Sequence, residues 1–245
     1  MGRRLGQHFL TASYYLERIA AAACPEPEPL VIEIGPGRGA LTASLIPRAK
    51  RLVAIELDAG LAHGLREAFP QVTVIEADVL EVDLGQWGPA VVAGNLPYYI
   101  TSPILEKLFS MGTALRRAVV LVQLEVAERL TALPGSRDYG YLTVMAQVAS
   151  TPRLLFRVPP GAFSPPPKVD SAAVLLEPRE HPPAAGVGFL EFAGRAFRQK
   201  RKTLKNNLAA QYPAIAGMPE ASLRAEQLSV EQLLDLYARL ARRPQ

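Results

Sequence analysis

Cysteine is nearly absent from this chain: Cys24 stands alone, which excludes a disulfide framework and a cysteine-rich metal site. Tryptophan occurs once and histidine three times, and no cluster of His, Cys and carboxylates has the spacing of a metal centre. Long hydrophobic runs are missing too. No stretch approaches the ~20 residues of a membrane-spanning helix, and residues 5–13, behind the basic Met1-Gly2-Arg3-Arg4, are too short and polar for a signal-peptide core. Gly2 begins no myristoylation motif, because no Ser or Thr follows at the required place. Internal repeats are lacking. These gaps point to the cytosol, to no membrane, and to chemistry carried out without a metal.

What is present suits a globular protein. With 245 residues, 49% of them hydrophobic, the chain can bury one large core and a smaller second one. The net charge of +4 is unevenly spread. From residue 181 onward there are 10 Lys and Arg against 5 Asp and Glu, giving +5; the first 180 residues hold 17 against 18, giving −1. The excess gathers in Arg195, Arg198, Lys200, Arg201, Lys202 and Lys205, with no acid among them. A charge run is commonly just a solvated face. Here Phe189, Phe192, Ala193, Ala196, Phe197, Leu204 and Leu208 form an apolar stripe and leave the cations an outer face, which predicts a basic helix able to grip phosphates.

The most informative string is Gly94-Asn95-Leu96-Pro97-Tyr98-Tyr99, at the end of an apolar run. It is an ordinary strand-ending turn or a catalytic loop, since Asn and Pro favour turns in either case. As a catalytic loop it suits adenine. The exocyclic amine of adenine is a poor nucleophile because its lone pair is delocalised into the ring. The side-chain oxygen of Asn95 and the carbonyl of Leu96 can each accept one amine hydrogen and favour the pyramidal nitrogen of the transition state. Pro97 fixes the turn and removes a competing donor, and Tyr98 offers a face for stacking, worth ~1–3 kcal/mol.

Upstream strands supply the rest of a pocket. Residues 30–32 read as a buried strand, followed by Glu33-Ile34-Gly35-Pro36-Gly37-Arg38-Gly39 and the helical spacing of Leu41, Leu45 and Ile46. Glycines there let backbone approach a nucleotide closely, but the spacing departs from the G-x-G-x-x-G dinucleotide pattern, which argues against NAD. A second strand, Val53-Ala54-Ile55-Glu56-Leu57-Asp58, ends in an acid that can hold both ribose hydroxyls. After a third strand, residues 72–75, Asp78 can accept from an adenine amino group. Each acid taken singly is equally a solvated strand end. In this order, with Asn95 closing a fourth strand, they describe an S-adenosylmethionine pocket.

These motifs resemble the ribosomal RNA adenine dimethyltransferases over nearly the whole chain. The resemblance rests on Leu5-Gly6-Gln7-His8-Phe9-Leu10, Glu33-Ile34-Gly35-Pro36-Gly37, Ile55-Glu56-Leu57-Asp58 and Asn95-Leu96-Pro97-Tyr98-Tyr99-Ile100-Thr101. It extends to Phe163-Ser164-Pro165-Pro166-Pro167-Lys168-Val169-Asp170-Ser171 and Arg224-Ala225-Glu226-Gln227-Leu228-Ser229. The Leu-Pro-Tyr form of the loop is similar to the small-subunit, KsgA-type branch. The resemblance implies that His8 and Leu10 contact the cofactor, with His8 standing where Asn is commoner. It also implies that Phe163 faces Tyr98 so that a flipped-out adenine sits between them. Leu124 stands where a Lys is usual, so one cationic RNA contact is missing. The implied substrate is two adjacent adenosines in a hairpin near the 3′ end of small-subunit rRNA, met by a monomer on an assembling subunit.

The expected fold is α/β. A Rossmann-like, S-adenosylmethionine-dependent methyltransferase domain over residues 1–180 precedes a small all-α domain over 181–245. Residues 91–93 and 119–124 are expected as strands, with 154–158 and 172–176 as late edge strands flanking a stiffly extended Pro-rich segment. Residues 177–188 are expected as linker, and 189–197, 203–210 and 230–240 as helices. Residues 135–140 read as an exposed loop able to touch RNA or as a plain helix connection. Three other functions stay open: a large-subunit dimethyltransferase of the antibiotic-resistance type, against which Leu96 and Tyr98 argue; a non-catalytic RNA-binding assembly factor; and a small-molecule methyltransferase, which has no need of the basic C-terminal segment.

Overall fold

The computed structural model describes residues 8–180 and 187–241. Leu5, Gly6 and Gln7 of the N-terminal motif and residues 181–186 of the expected linker lie outside the described residues. The elements run β1 (Phe9–Leu10), α1 (Ser13–Ala23), β2 (Val31–Ile34), α2 (Ala40–Leu45), β3 (Leu52–Glu56), α3 (Ala59–Ala68), β4 (Thr73–Glu76), β5 (Ala90–Asn95) and α4 (Thr101–Ser110). They continue with β6 (Leu115–Gln123), α5 (Leu124–Leu130), α6 (Tyr141–Ala149), β7 (Ser150–Val158), β8 (Phe163–Ser164), β9 (Ser171–Pro178), α7 (Val187–Ala196), α8 (Leu204–Leu208) and α9 (Val230–Ala241).

The chain divides into two compact units, one of residues 1–127 with 151–178 and one of 128–150 with 179–245. The first is built on a seven-stranded sheet in the order β4-β3-β2-β5-β6-β9-β7. Strands β4 through β6 are parallel neighbours, and β9 lies antiparallel to β6. Parallel strands covered on both faces need unbroken apolar sequence, and Val31-Ile32-Glu33-Ile34 and Leu52-Val53-Ala54-Ile55-Glu56 are buried at every position. The sheet reverses its direction of growth between β2 and β5, and the crevice beyond the carboxyl ends of two such strands is where open α/β sheets bind ligands. The architecture is the Rossmann-like α/β fold.

Two backbone features shape that crevice. Gly35, Gly37 and Gly39 all have positive φ, at 65°, 58° and 81°, so the turn from β2 to α2 takes a path that side-chain-bearing residues avoid. Gly94, just before Asn95, lets β5 pass close to β2: a Cβ there would lie 2.5 Å from the Ile34 carbonyl oxygen. Buried Cys24 sits in the core of this unit, where desolvation pushes its thiol up to about 11 and keeps it an inert apolar filler.

Several expectations are corrected. Strand β9 is an interior strand between β6 and β7, not an edge, and its first six residues are buried. Leu124 opens α5 instead of ending a strand. The Pro-rich segment is broken by a helical turn at Pro160–Ala162. The second unit is not confined to the residues beyond 180, because α6 and the loop before it belong to it as well. Its core joins Tyr139, Val144 and Val148 to Phe189, Phe192, Leu204, Leu208, Leu233 and Leu236. Residues 135–140, read as an exposed loop or a plain helix connection, join α5 to α6; Tyr139 there has no solvent exposure and packs its ring 5.9 Å from that of Phe197. No helix among the described residues is long and apolar enough to cross a membrane.

Candidate active site

The strand ends converge as the sequence reading requires. His8, Gly35, Gly37, Glu56, Asp78, Asn95, Leu96, Pro97 and Tyr98 line one cavity in the first unit. Glu56 terminates β3, and both of its carboxylate oxygens are held: Oε2 accepts from the Gly37 N–H at 3.0 Å and Oε1 from the Asp58 N–H at 2.9 Å. This pins the carboxylate to the glycine turn while each oxygen keeps a lone pair free for a hydroxyl donor. Asp78 is fixed in the same way, its Oδ1 accepting from the Leu80 N–H at 2.9 Å. A ribose and an adenine amino group therefore meet oriented acceptors, and the residues fit an adenosine-bearing cofactor.

Asn95 ends β5 with its amide turned to a definite side. Its Nδ2 donates to the His8 carbonyl at 2.9 Å, which fixes the flip, and its buried Oδ1 has no hydrogen-bond partner among the described residues. No described residue donates to the Leu96 carbonyl either, while the Leu96 N–H is taken up by the Leu121 carbonyl at 3.0 Å. Two neighbouring acceptors are thus left open. Buried acceptors without a donor are uncommon and costly, and this pair can accept from a group that brings two N–H donors.

The loop is rigid. Thr101 Oγ1 donates to the Pro97 carbonyl at 3.1 Å, and the Ile100 N–H donates to the same oxygen at 3.2 Å, starting α4 directly behind the turn. The Tyr98 hydroxyl shares a 2.7 Å hydrogen bond with the Ser171 hydroxyl, and burial raises its pKa above the usual phenol value, so it stays protonated and its ring is anchored at the far end. The His8 ring lies 6.0 Å from that of Tyr98 with 24° between the planes, held by its Nδ1, which donates to the Pro165 carbonyl at 2.9 Å.

Two predicted site residues are not brought into the cavity. Phe163 is only 4% exposed and Leu10 equally so; both belong to the first unit's core with Leu16, Ile19 and Leu175. The cause is strand alternation. In the pairing of β1 with β8, Leu10 lies opposite Phe163, and directly opposed residues share a face. Residue 9, not 10, therefore points to the cavity. Phe9 lines it, with the Arg38 guanidinium 4.8 Å above its ring, and a Cβ on Gly37 would press within 2.8 Å of that ring.

Sequence reasoning missed Phe9, Leu57, Val79 and Tyr99, which also line the cavity, and a buried acid coupled to Glu56. Glu33 is 1% exposed and accepts from Thr42 Oγ1 at 2.6 Å. Desolvation pushes its carboxyl up to about 8, the nearby Glu56 charge adding to the effect and the Thr42 bond opposing it. A proton on Glu33 spares the core a second buried charge next to Glu56. The alternation within residues 8–10 was available in the sequence; the Glu33–Glu56 proximity needed the register of β2 on β3.

The six predicted RNA-contacting residues all lie in the second unit and all are exposed. They do not form one basic helix. Arg195 is on α7 and Lys205 on α8, and the other four occupy the turn between them, residues 197–203. Thr203 caps α8 by accepting from the Asn206 N–H. Asn207 Nδ2 donates to the carbonyls of Ala196 and Gln199 at 2.8 and 3.1 Å, tying the turn to both helices. Lys200 is the exception among the cations, bound to the Arg137 carbonyl and 3.7 Å from Glu226.

Comparisons with known proteins agree with this geometry. A family model described as ribosomal RNA adenine dimethylase matches residues 2–242. A ribosomal RNA small subunit methyltransferase A from Acidobacterium capsulatum is 48% identical over 255 residues, covering 97% of this chain and 90% of its own. One from Chlorobium chlorochromatii is 42% identical, covering 96% and 92%. Among solved structures, a dimethyladenosine transferase from Plasmodium falciparum aligns with a TM-score of 0.79 at 26% identity, over 96% of this chain and 98% of that one. The 23S rRNA methyltransferase ErmE aligns with a TM-score of 0.73 at 32% identity, over 96% and 100%. With matched sequence and matched fold, the chain belongs to the ribosomal RNA adenine dimethylase family.

Proposed function

We propose that this protein transfers methyl groups from S-adenosylmethionine to the N6 amines of two adjacent adenosines near the 3′ end of small-subunit rRNA. It works as a cytosolic monomer on an assembling subunit. The observation that carries the reading is the pair of unpartnered acceptors, Asn95 Oδ1 and the Leu96 carbonyl. The identity of 40–48% to small-subunit methyltransferases favours this ribosomal subunit over the large one.

S-adenosylmethionine supplies an electrophilic methyl group when bound. Glu56 and Asp78 are the residues that would hold its adenosine, with Gly35 and Gly37 giving backbone access and His8 in the same lining. Asn95 Oδ1 and Leu96 O each take one hydrogen of the target amine, which turns the nitrogen lone pair out of conjugation with the ring. Neither group is a base at neutral pH, so the proton leaves to water after the nitrogen has become positively charged. A singly methylated amine keeps one hydrogen and one acceptor, so the same site acts twice. The Tyr98 ring, fixed through Ser171, provides the stacking face.

The exposed turn at residues 197–203 supplies the phosphate grip. Arg198, Arg201, Lys202 and Lys205 have no ion-pair partner among the described residues. Transfer of labelled methyl groups to unmethylated small and large subunits in parallel, with the modified nucleotides mapped, tests the assignment. Label on N6 of two neighbouring adenosines of the small subunit is expected; label only on the large subunit would assign the protein to the other branch.

A further inference from the structure

Besides Phe9, which is packed against the glycine turn, the cavity has an aromatic that the mechanism above leaves idle. Tyr99 follows Tyr98 in the same helical turn, lines the cavity and is 59% exposed. Its neighbour is anchored by Ser171, whereas no described residue hydrogen-bonds to Tyr99 or packs an aromatic ring against it. The backbone beneath it is nevertheless held firmly, by the two hydrogen bonds to the Pro97 carbonyl. Leu57, 49% exposed, lies on the same rim. A large ring on a rigid turn, bare to solvent at the mouth of a site, is an arrangement that isolated surface side chains do not need.

The substrate's own physics says what such a ring meets. Taking one base out of a nucleic-acid stack leaves the flanking base with one face bare, at a cost of a few kcal/mol. An aromatic side chain standing where the target base enters can cover that face, and base-aromatic stacking is indifferent to which base it is. We propose that Tyr99 stacks on the base of the nucleotide adjacent to the target adenosine, so that the site grips two nucleotides: one between the acceptors and Tyr98, the other on the rim. Tyr99 is then a positioning element for the substrate strand. It also suits a substrate of two neighbouring targets, because each adenosine occupies the rim while the other reacts.

The inference rests on the functional reading above, and one experiment separates the two. Small subunits are reconstituted with RNA in which the nucleotide on one side, or the other, of the target adenosine is abasic. Methyl transfer to the remaining adenosine is then measured for the wild type, Tyr99→Phe, Tyr99→Leu and Tyr99→Ala. For one of the two sides, the abasic nucleotide is expected to lower kcat/KM about tenfold, mainly through KM, for the wild type and Tyr99→Phe. For Tyr99→Ala and Tyr99→Leu, intact and abasic subunits should react within about twofold of each other. If the variants without a ring lose as much as the wild type on abasic subunits, or the wild type loses nothing on either side, the stacking role is overturned and the functional reading stands. If the wild type methylates no intact subunit, the functional reading falls and this proposal with it.

Discussion

Each unit buries several polar atoms without a hydrogen-bond partner among the described residues, Asn95 Oδ1 among them in the first and the Tyr139 hydroxyl in the second. An unsatisfied buried group costs about 1–3 kcal/mol wherever it occurs, so what differs is what stands beside it. Asn95 borders a cavity, and the donor at its other end, Nδ2 to the His8 carbonyl, holds the oxygen in place. Tyr139 is sealed among Phe197, Phe189 and their neighbours, and burial drives its phenol pKa well above the usual value. On the proposed function the same defect is a binding position in one unit and a packing cost in the other. Access and a fixed orientation make the difference.

Substitutions can break or sharpen that contrast. The largest effect is expected at Phe163, which calibrates pure packing. Phe163→Ala should lower unfolding free energy by ~3–5 kcal/mol, while Phe163→Leu keeps the methyl-transfer rate near wild type. A rate loss in Phe163→Leu without a stability loss would return the residue to the active site. Next is Asn95→Ala, expected to slow single-turnover methyl transfer by ~10²–10³ while leaving chemical denaturation unchanged or slightly improved.

Glu33 gives a pH-dependent effect. Its folded pKa is raised, to about 8, so between about pH 4.5 and 8 the folded state holds a proton that the unfolded chain has released. Its contribution is complete below that window and disappears as pH rises through it. Denaturation of Glu33→Gln at pH 5, 6, 7 and 8 should show a flatter decline than the wild type; parallel curves would place the proton elsewhere. Smaller still, Arg201→Ala with Lys202→Ala should reduce the log-log salt slope of RNA binding by ~0.7 for each phosphate left without its cation, and an unchanged slope would remove the turn from the interface. Tyr139→Phe closes the series. Deleting its unpartnered hydroxyl should shift stability by less than ~1 kcal/mol, and in the favourable direction; a clear loss would erase the contrast with Asn95.

Much of the first unit was legible because its signals are local. Parallel strands buried on both faces appear as apolar runs, and Gly35, Glu56, Asp78 and Asn95 follow those runs at the strand ends where the fold needs them. The errors arose where pairing decides. Leu10 and Phe163 face the core because β1 opposes β8 in one register; residues 8–10 carry an alternation that a two-residue strand makes easy to misassign, and only the pairing with Phe163 fixes its phase. Strand β9 reads as peripheral until it is seen between β6 and β7. The break between the helices expected at 189–197 and 203–210 is present, with Thr203 as the cap of the second, but the cations read as one helix face lie mostly in the turn between them. Nothing local announces that α6 belongs with the C-terminal helices, since only long-range packing of Tyr139, Val144 and Val148 puts it there.

The central claim is that Asn95 Oδ1 receives an amine hydrogen, and a double-mutant cycle tests it most directly. RNA carrying adenosine at the target position is compared with RNA carrying purine riboside, which lacks the amine, for binding to the wild type and to Asn95→Ala. The wild type should prefer adenosine about tenfold and Asn95→Ala should lose most of that preference, a coupling of about 1.4 kcal/mol. If Asn95→Ala discriminates between the two RNAs as well as the wild type does, the amine does not sit on Asn95 and the account is wrong.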